Sequence, residues 1–292
     1  MSLLKEKLEK GEFVITSEIG PPKGVNIKPY LEEADKLRGR VTAINVTDIQ
    51  SGVMRLGSLA VCHLLKERGI EPVYQLVTRH RNRLALQSDL LSAYVLGVEN
   101  VLCLTGDHPA LGDHPQAKPV YDLDSVQLLE AAKRLNEGED MAGNPLEGKP
   151  QLFLGAVVNP GIEPLEPEII RMKKKISAGA RFFQTQPVYE VDKFAKFVEK
   201  VKDLKVPILA GIVLLKSAKM AKYMNENVPG INVPQELIEE MASLSKEDRP
   251  KKSIEIAVRL IRKLKPLCQG IHIMPLGWGR YVPGVLKGAG LV

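Results

Sequence analysis

Short apolar runs alternate along the chain with longer stretches in which apolar residues recur at helical spacing. Residues 13–19, 41–47, 73–77, 100–104, 151–158, 181–185, 206–214 and 270–274 read as strands. Between them, residues 27–37, 56–68, 84–96, 126–135, 163–178, 191–202 and 217–225 read as helices, and 235–243, 253–264 and 282–287 complete the set. Leu31, Ala34 and Leu37 share one helical face, as do Leu86, Leu90, Ala93 and Gly97. Asp124 with Gln127 has the spacing of a capping box, and the 163–178 helix carries Pro164 or Pro167 in its opening turn with Gly179 beyond its end.

Repeated strand–helix alternation with no change of composition predicts an α/β fold, a (β/α)8 TIM barrel forming a single domain over residues 1–292. A doubly wound open sheet is the competing arrangement. The absence of Gly-x-Gly-x-x-Gly after the first strand, and a last strand close to the C-terminus, favour the barrel.

In such a fold the carboxyl ends of the strands meet on one face, so polar residues there are the candidate chemistry. The first strand ends on Glu18, the second on Thr47 and Asp48, the third brings Gln75, Thr78 and Arg79, and the fourth Thr105 and Asp107. Asn159 follows the fifth, Gln184 and Gln186 close the sixth, and 277–280 follow the eighth. The long connection 106–123 contains Gly-Asp-His-Pro twice, and connections of that length are commonly functional or mobile. Carboxylates from the first and fourth strands suit proton transfer on an uncharged heterocycle, whereas redox chemistry would require a cofactor.

Composition narrows the partners. A chain of 292 residues, 44% hydrophobic and 26% charged, fits one barrel. The net charge of +6 comes from lysines scattered without interleaved aromatics, which argues against nucleic acid and for a small polyanionic ligand. No window is apolar enough for a membrane span, and the charged amphipathic start is unlike a signal peptide, so a cytoplasmic location is expected. Cys62, Cys103 and Cys268 lie far apart without a Cys-x-x-Cys pair, so no disulfide framework or Cys-rich metal site is expected. His108 and His114 each precede a proline and read as turn residues, and no metal is expected. No Gly-x-Ser-x-Gly or reactive-looking cysteine supports a covalent nucleophile.

The segments Ser17-Glu18-Ile19-Gly20-Pro21-Pro22, Leu104-Thr105-Gly106-Asp107, Lys118-Pro119-Val120-Tyr121, Asn159-Pro160, 173–179 and Thr185-Gln186 come in an order and spacing that resembles the methylenetetrahydrofolate reductases. The resemblance runs from about residue 12 to residue 242, and its specificity lies in the conjunction of motifs. It implies a barrel binding flavin, FAD with FMN as the other candidate, and hydride transfer giving 5-methyltetrahydrofolate in one-carbon metabolism. By the same resemblance Glu18 matches the general acid that protonates N10 of the folate, and Asp107 the carboxylate that binds the pterin's amino edge near the flavin. Gln186 matches a folate-binding amide, with Gln184 as its competitor. Thr47, Gln75, Leu104, Thr105, Gly106, Asp107, Tyr121, Asn159 and Lys175 fall on flavin-binding positions, although Gln75 stands where many relatives have His.

Two departures follow from the same resemblance. Ala218 takes the place of a Phe that stacks on nicotinamide or pterin in many NADH-using relatives, so the donor is NAD(P)H or a partner redox subunit, within an oligomer or hetero-complex. Gly-Trp-Gly-Arg at 277–280 either offers Arg280 to the folate's glutamate tail or buries the sole Trp as a plug. The rival readings are a flavin-free or non-catalytic folate-binding barrel subunit of a larger redox complex, and a barrel transferase acting on folate without redox change.

Overall fold

The computed structural model describes residues 2–292. Its elements follow the alternation: α1 (Leu3–Glu9), β1 (Val14–Ile19), α2 (Lys28–Asp35), β2 (Ala43–Val46), α3 (Ser58–Glu67), β3 (Pro72–Val77), α4 (Arg83–Val95), β4 (Asn100–Leu104), α5 (Ser125–Glu137) and β5 (Phe153–Val158). The chain continues through α6 (Glu166–Ser177), β6 (Phe182–Pro187), α7 (Val191–Val201), β7 (Ile208–Val213), α8 (Ala218–Asn227), α9 (Gln235–Ala242), α10 (Arg249–Leu264), β8 (Gly270–Met274) and α11 (Val282–Gly288). The strands close in chain order, each parallel to the next. Pairing of β8 with β1, Val14 opposite Gly270, removes the open-sheet alternative. Gly270 is required at that seam, because a Cβ there would stand 2.5 Å from the Val14 carbonyl oxygen.

Alternation along each strand divides its side chains between the lumen and the helical shell. Val14, Ala43, Val73, Leu102, Phe153, Phe182 and Leu209 fill the lower lumen, with Leu4 and Leu8 of α1 packed against them from below. Burying a leucine this fully stabilises the fold by about 2 kcal/mol. Phe153 and Phe182 stack at 5.1 Å between ring centroids. Residues of opposite parity, such as Ile15, Ile44 and Val101, join the outer core under the helices.

Several boundaries differ from the sequence expectation for identifiable reasons. β5 begins at Phe153 because both backbone groups of Leu152 are taken by the Asn136 side chain, at 2.8 and 2.9 Å. α10 begins at Arg249, with Pro250 in its first turn where a missing N–H is harmless. The capping box at the start of α5 forms as expected, both Asp124 and Gln127 bonding across the first turn.

Candidate active site

Above the apolar lower lumen the same alternation brings polar side chains inward from four strands. Asn45 of β2 and Gln184 of β6 exchange two amide hydrogen bonds, at 2.8 and 3.1 Å. Gln184 Nε2 also donates to Thr16 Oγ1 of β1 at 3.2 Å, and that hydroxyl lies 2.9 Å from His272 Nδ1 of β8. All four side chains are buried, so each must satisfy the others. The order of donors assigns the histidine tautomer: Thr16 accepts from Gln184 and gives its own hydrogen to Nδ1, leaving the N–H on Nε2. Burial holds His272 well below the ordinary histidine range, at about 3, so it is neutral.

Glu18 crowns this column. Its Oε2 accepts from Gln75 Nε2 at 3.3 Å and lies 3.9 Å from His272 Nε2. Burial pushes its carboxyl up to about 7, against the opposing pull of hydrogen bonds from the Gln75 and Gln50 amides. The carboxyl therefore changes protonation state at neutral pH, as a group that both gives and recovers a proton must. A cavity of about 790 Å³ opens over it, walled by the loops after β1, β2 and β8, with Tyr30, Gln50, Arg55 and Gly277 among its lining. Burial raises the second acid of that wall, Glu33, above the usual carboxylate range. Arg55 donates through Nη1 to the Pro21 carbonyl, and its buried Nε has no partner among the described residues.

The loop after β2 is strained. Ile49 and Ser51 adopt left-handed backbone (φ 48° and 56°), a conformation that costs of order 1–3 kcal/mol and is rare for a β-branched residue. It is tied to the loop after β4 by close backbone packing: a Cβ on Gly112 would stand 2.0 Å from the Gly52 carbonyl oxygen. Asp113 completes the tie, bonded to Lys23 and accepting from the Met54 N–H at 2.9 Å. These hydrogen bonds, Lys23 first, hold its carboxyl well below the usual range. The second Gly-Asp-His-Pro copy thus braces the rim. Asp48, at the end of β2, is likewise structural, pairing with Arg81 at 2.7 Å and accepting from the Val77 N–H at 3.0 Å.

The remaining residues singled out in the sequence are spread around the rim. Asp107 is exposed, and Gln186 is half-buried at the end of β6, in register with the inward Gln184. Neither lines the cavity over Glu18. Gln75, placed among the flavin positions by resemblance, bonds the Glu18 carboxyl. Thr105 Oγ1 accepts from the Ser125 N–H at the start of α5 (3.1 Å), and Tyr121 donates to the Gly106 carbonyl (3.3 Å). The Asn159 amide bridges to the Pro229 carbonyl (3.0 Å), and the Lys175 ammonium turns inward onto the Val157 carbonyl (2.6 Å). Arg280 lies exposed over the Tyr281 ring, and Trp278 packs edge-on to the same ring at 5.3 Å, partly open to solvent.

Three features fit a flat ligand such as a flavin at the β2–β5 side. The Thr47 hydroxyl is buried without a partner among the described residues. Gly106 takes a left-handed φ of 86°, and a Cβ there would press on Arg79 Nη1 at 3.1 Å and Val77 at 3.2 Å. Leu104 and Val157 are half-buried apolar side chains above the inner core. Sequence reasoning missed His272, Gln50, Arg55 and the clamping role of Arg79. The parity of β8, which turns His272 inward with Gly270 and Met274, was the available signal for the first.

Comparison with known proteins identifies the family. A Caenorhabditis elegans protein described as probable methylenetetrahydrofolate reductase (NADPH) is 22% identical over 99% of this chain and 44% of its own length. Methylenetetrahydrofolate reductase 2 of Schizosaccharomyces pombe is 25% identical over 99% of this chain and 47% of its own. The chain spans less than half the length of these relatives. Among solved structures, an uncharacterized Clostridium thermocellum protein that binds two copies of 5-methyl-5,6,7,8-tetrahydrofolic acid superimposes with a TM-score of 0.63 at 20% identity, covering 99% of this chain and 98% of that one. A 2,3-dimethylmalate lyase shares the barrel at 13% identity and a TM-score of 0.53, covering 98% of this chain and 87% of its own. The family profile described as methylenetetrahydrofolate reductase matches residues 3–290, so the match takes in every strand of the barrel and the buried Glu18, and the chain belongs to that family.

Proposed function

We propose that the chain is a flavin-dependent reductase of 5,10-methylenetetrahydrofolate, producing 5-methyltetrahydrofolate. The carrying observation is Glu18: a buried carboxyl with an acid constant moved to about 7, at the mouth of a barrel of this family. When bound, a reduced flavin, FAD or FMN, supplies the hydride that the methylene carbon accepts. Glu18 gives its proton to N10, opening the five-membered ring, and recovers one from solvent through the cavity above it. His272, neutral beneath it, presents an N–H toward the carboxylate that remains. Asp107, exposed after β4, accepts the N–H groups of the pterin's aminopyrimidinone, and Gln186 at the end of β6 adds an amide contact. Thr47, Gly106 and Leu104 hold the flavin, with Thr105 and Tyr121 shaping the turn around it. The methyltetrahydrofolate bound by the Clostridium thermocellum relative supports the choice of ligand.

The test is reconstitution with FAD or FMN under anaerobic conditions. Wild-type protein should take up flavin and be bleached by 5-methyltetrahydrofolate, whereas Glu18→Gln should bind flavin and accept electrons from a chemical reductant yet fail to reduce the methylene substrate. A chain that takes up neither flavin, or a Glu18→Gln variant that turns over at near wild-type rate, would refute the proposal. The donor is resolved by the same preparation: reduction by NAD(P)H alone identifies a direct donor, and reduction only after addition of a redox subunit identifies a protein-borne one.

A further inference from the structure

Arg79 is among the most deeply buried side chains of the protein, 1% exposed, yet its guanidinium faces no carboxylate within ion-pairing distance among the described residues. Its donors go to neutral acceptors. Nε meets His80 Nε2 at 2.8 Å, Nη1 the Asp107 carbonyl at 2.8 Å, and Nη2 the Ile49 carbonyl at 2.6 Å. Burial, with the adjacent guanidinium, lowers the His80 acid constant, which keeps that ring nitrogen free to accept. A buried cation without a counter-charge is costly, and here three hydrogen bonds to neutral acceptors offset that cost.

What it holds is the left-handed turn after β2. The Ile49 carbonyl takes the Arg79 bond together with one from the Gly52 N–H at 3.0 Å. Between the two left-handed residues stands Gln50, which lines the same cavity as Glu18 and whose amide pulls against the rise in that carboxyl's acid constant. We propose that Arg79 is a positioning residue for Glu18: by clamping the Ile49 and Asp107 carbonyls it keeps the strained turn closed, so that Gln50 reaches the carboxyl and the loops after β2 and β4 move as one rim. Gln75 on β3 and His272 on β8 face Glu18 from the sheet, and Glu33 and Arg55 share the cavity above it. None of these four is a hydrogen-bond partner of Arg79. The path from Arg79 to Glu18 therefore runs through Ile49 and Gln50. Its bearing on catalysis rests on the acid role given to Glu18 above, but the contact itself does not.

The experiment follows the Glu18 carboxyl stretch by infrared difference spectroscopy across pH on the full chain, with the Glu18→Gln spectrum subtracted. Neither flavin nor folate is needed, so this outcome is separable from that of the reductase assay. Gln50→Ala removes a donor to the carboxylate and should weaken the acid by about tenfold. Arg79→Met should weaken it by a similar factor, and the double variant by no more than either alone, because both break one path. Should Arg79→Met fail to fold, Arg79→Lys keeps a charge that reaches one carbonyl and carries the same comparison. Adding Ile49→Gly, which accepts positive φ without a clamp, should return the Glu18 titration to its wild-type position. An unmoved titration in the Arg79 variants, additive shifts in the double variant, or no recovery with Ile49→Gly would each overturn the proposal.

Discussion

His272 Nε2 stands 3.9 Å from Glu18 Oε2, a neutral imidazole under a carboxyl that titrates near pH 7. Both acid constants are displaced for the same reason: both groups are buried, and burial disfavours the charged form of each. The two shifts act on stability in different pH windows.

For His272 the folded value, about 3, lies below the unfolded value of 6.5, so the native state binds fewer protons between them. Stability is then lost as pH falls from 6.5 toward 3, by up to about 4 kcal/mol. His272→Gln should flatten this acid limb in urea unfolding followed from pH 7 to pH 3. It should also lower stability at pH 7 by about 1–2 kcal/mol, since the Thr16 hydroxyl is left in altered company. An unchanged acid limb would show that His272 is hydrated and titrates normally.

For Glu18 the sign is reversed. Its folded value, about 7, lies above the unfolded value of 4.5, so the native state binds more protons and stability declines as pH rises between them. Glu18→Gln removes that decline. The variant should be more stable than wild type at pH 8 by about 3 kcal/mol, with the difference closing by pH 4. Equal stability at pH 8 would mean that the carboxylate is well solvated. A gain in stability from removing the acid is expected of a residue held for chemistry rather than for folding.

The barrel was legible because its signal is periodic: β4 and β8 are found at the residues that the apolar runs predict. The place of Glu18 near the end of β1 was legible from the Gly-Pro-Pro that follows the strand. What stayed hidden depends on distance across the lumen. His272 lies 256 residues from Thr16, and one hydrogen bond between them decides its tautomer. Arg79 reads in sequence as one more cation in Thr-Arg-His-Arg. Its burial follows from where the loops after β2 and β4 place their carbonyls. Asn159 and Lys175 were chosen by motif, and their side-chain nitrogens donate to backbone carbonyls of this chain, a choice that tertiary geometry makes.

Gly155 supplies a prediction about the barrel floor. A Cβ at this position would stand 2.2 Å from Phe182 Cζ and 2.6 Å from both Cε atoms, and Phe182 is fully buried against Phe153. Gly155→Ala should therefore cost about 3 kcal/mol in urea unfolding. Phe182→Leu in the same chain should recover part of the loss, giving a non-additive pair. A fully additive double variant would place the strain elsewhere.

Thr47 separates folding from binding most sharply. Its hydroxyl is buried with no partner among the described residues, an arrangement that costs about 1–3 kcal/mol relative to a satisfied group. Thr47→Val keeps the branched shape and removes that penalty, so the flavin-free variant should unfold at a higher urea concentration, by about 1 kcal/mol in stability. If the hydroxyl is kept to meet a flavin, the same substitution should weaken flavin affinity by about fivefold to tenfold, measured by fluorescence quenching on titration with FAD and with FMN. The two effects have opposite signs and come from one atom. Loss of both stability and affinity would indicate a hydroxyl hydrogen-bonded within the fold, and a gain in stability with unchanged affinity would remove Thr47 from the flavin site.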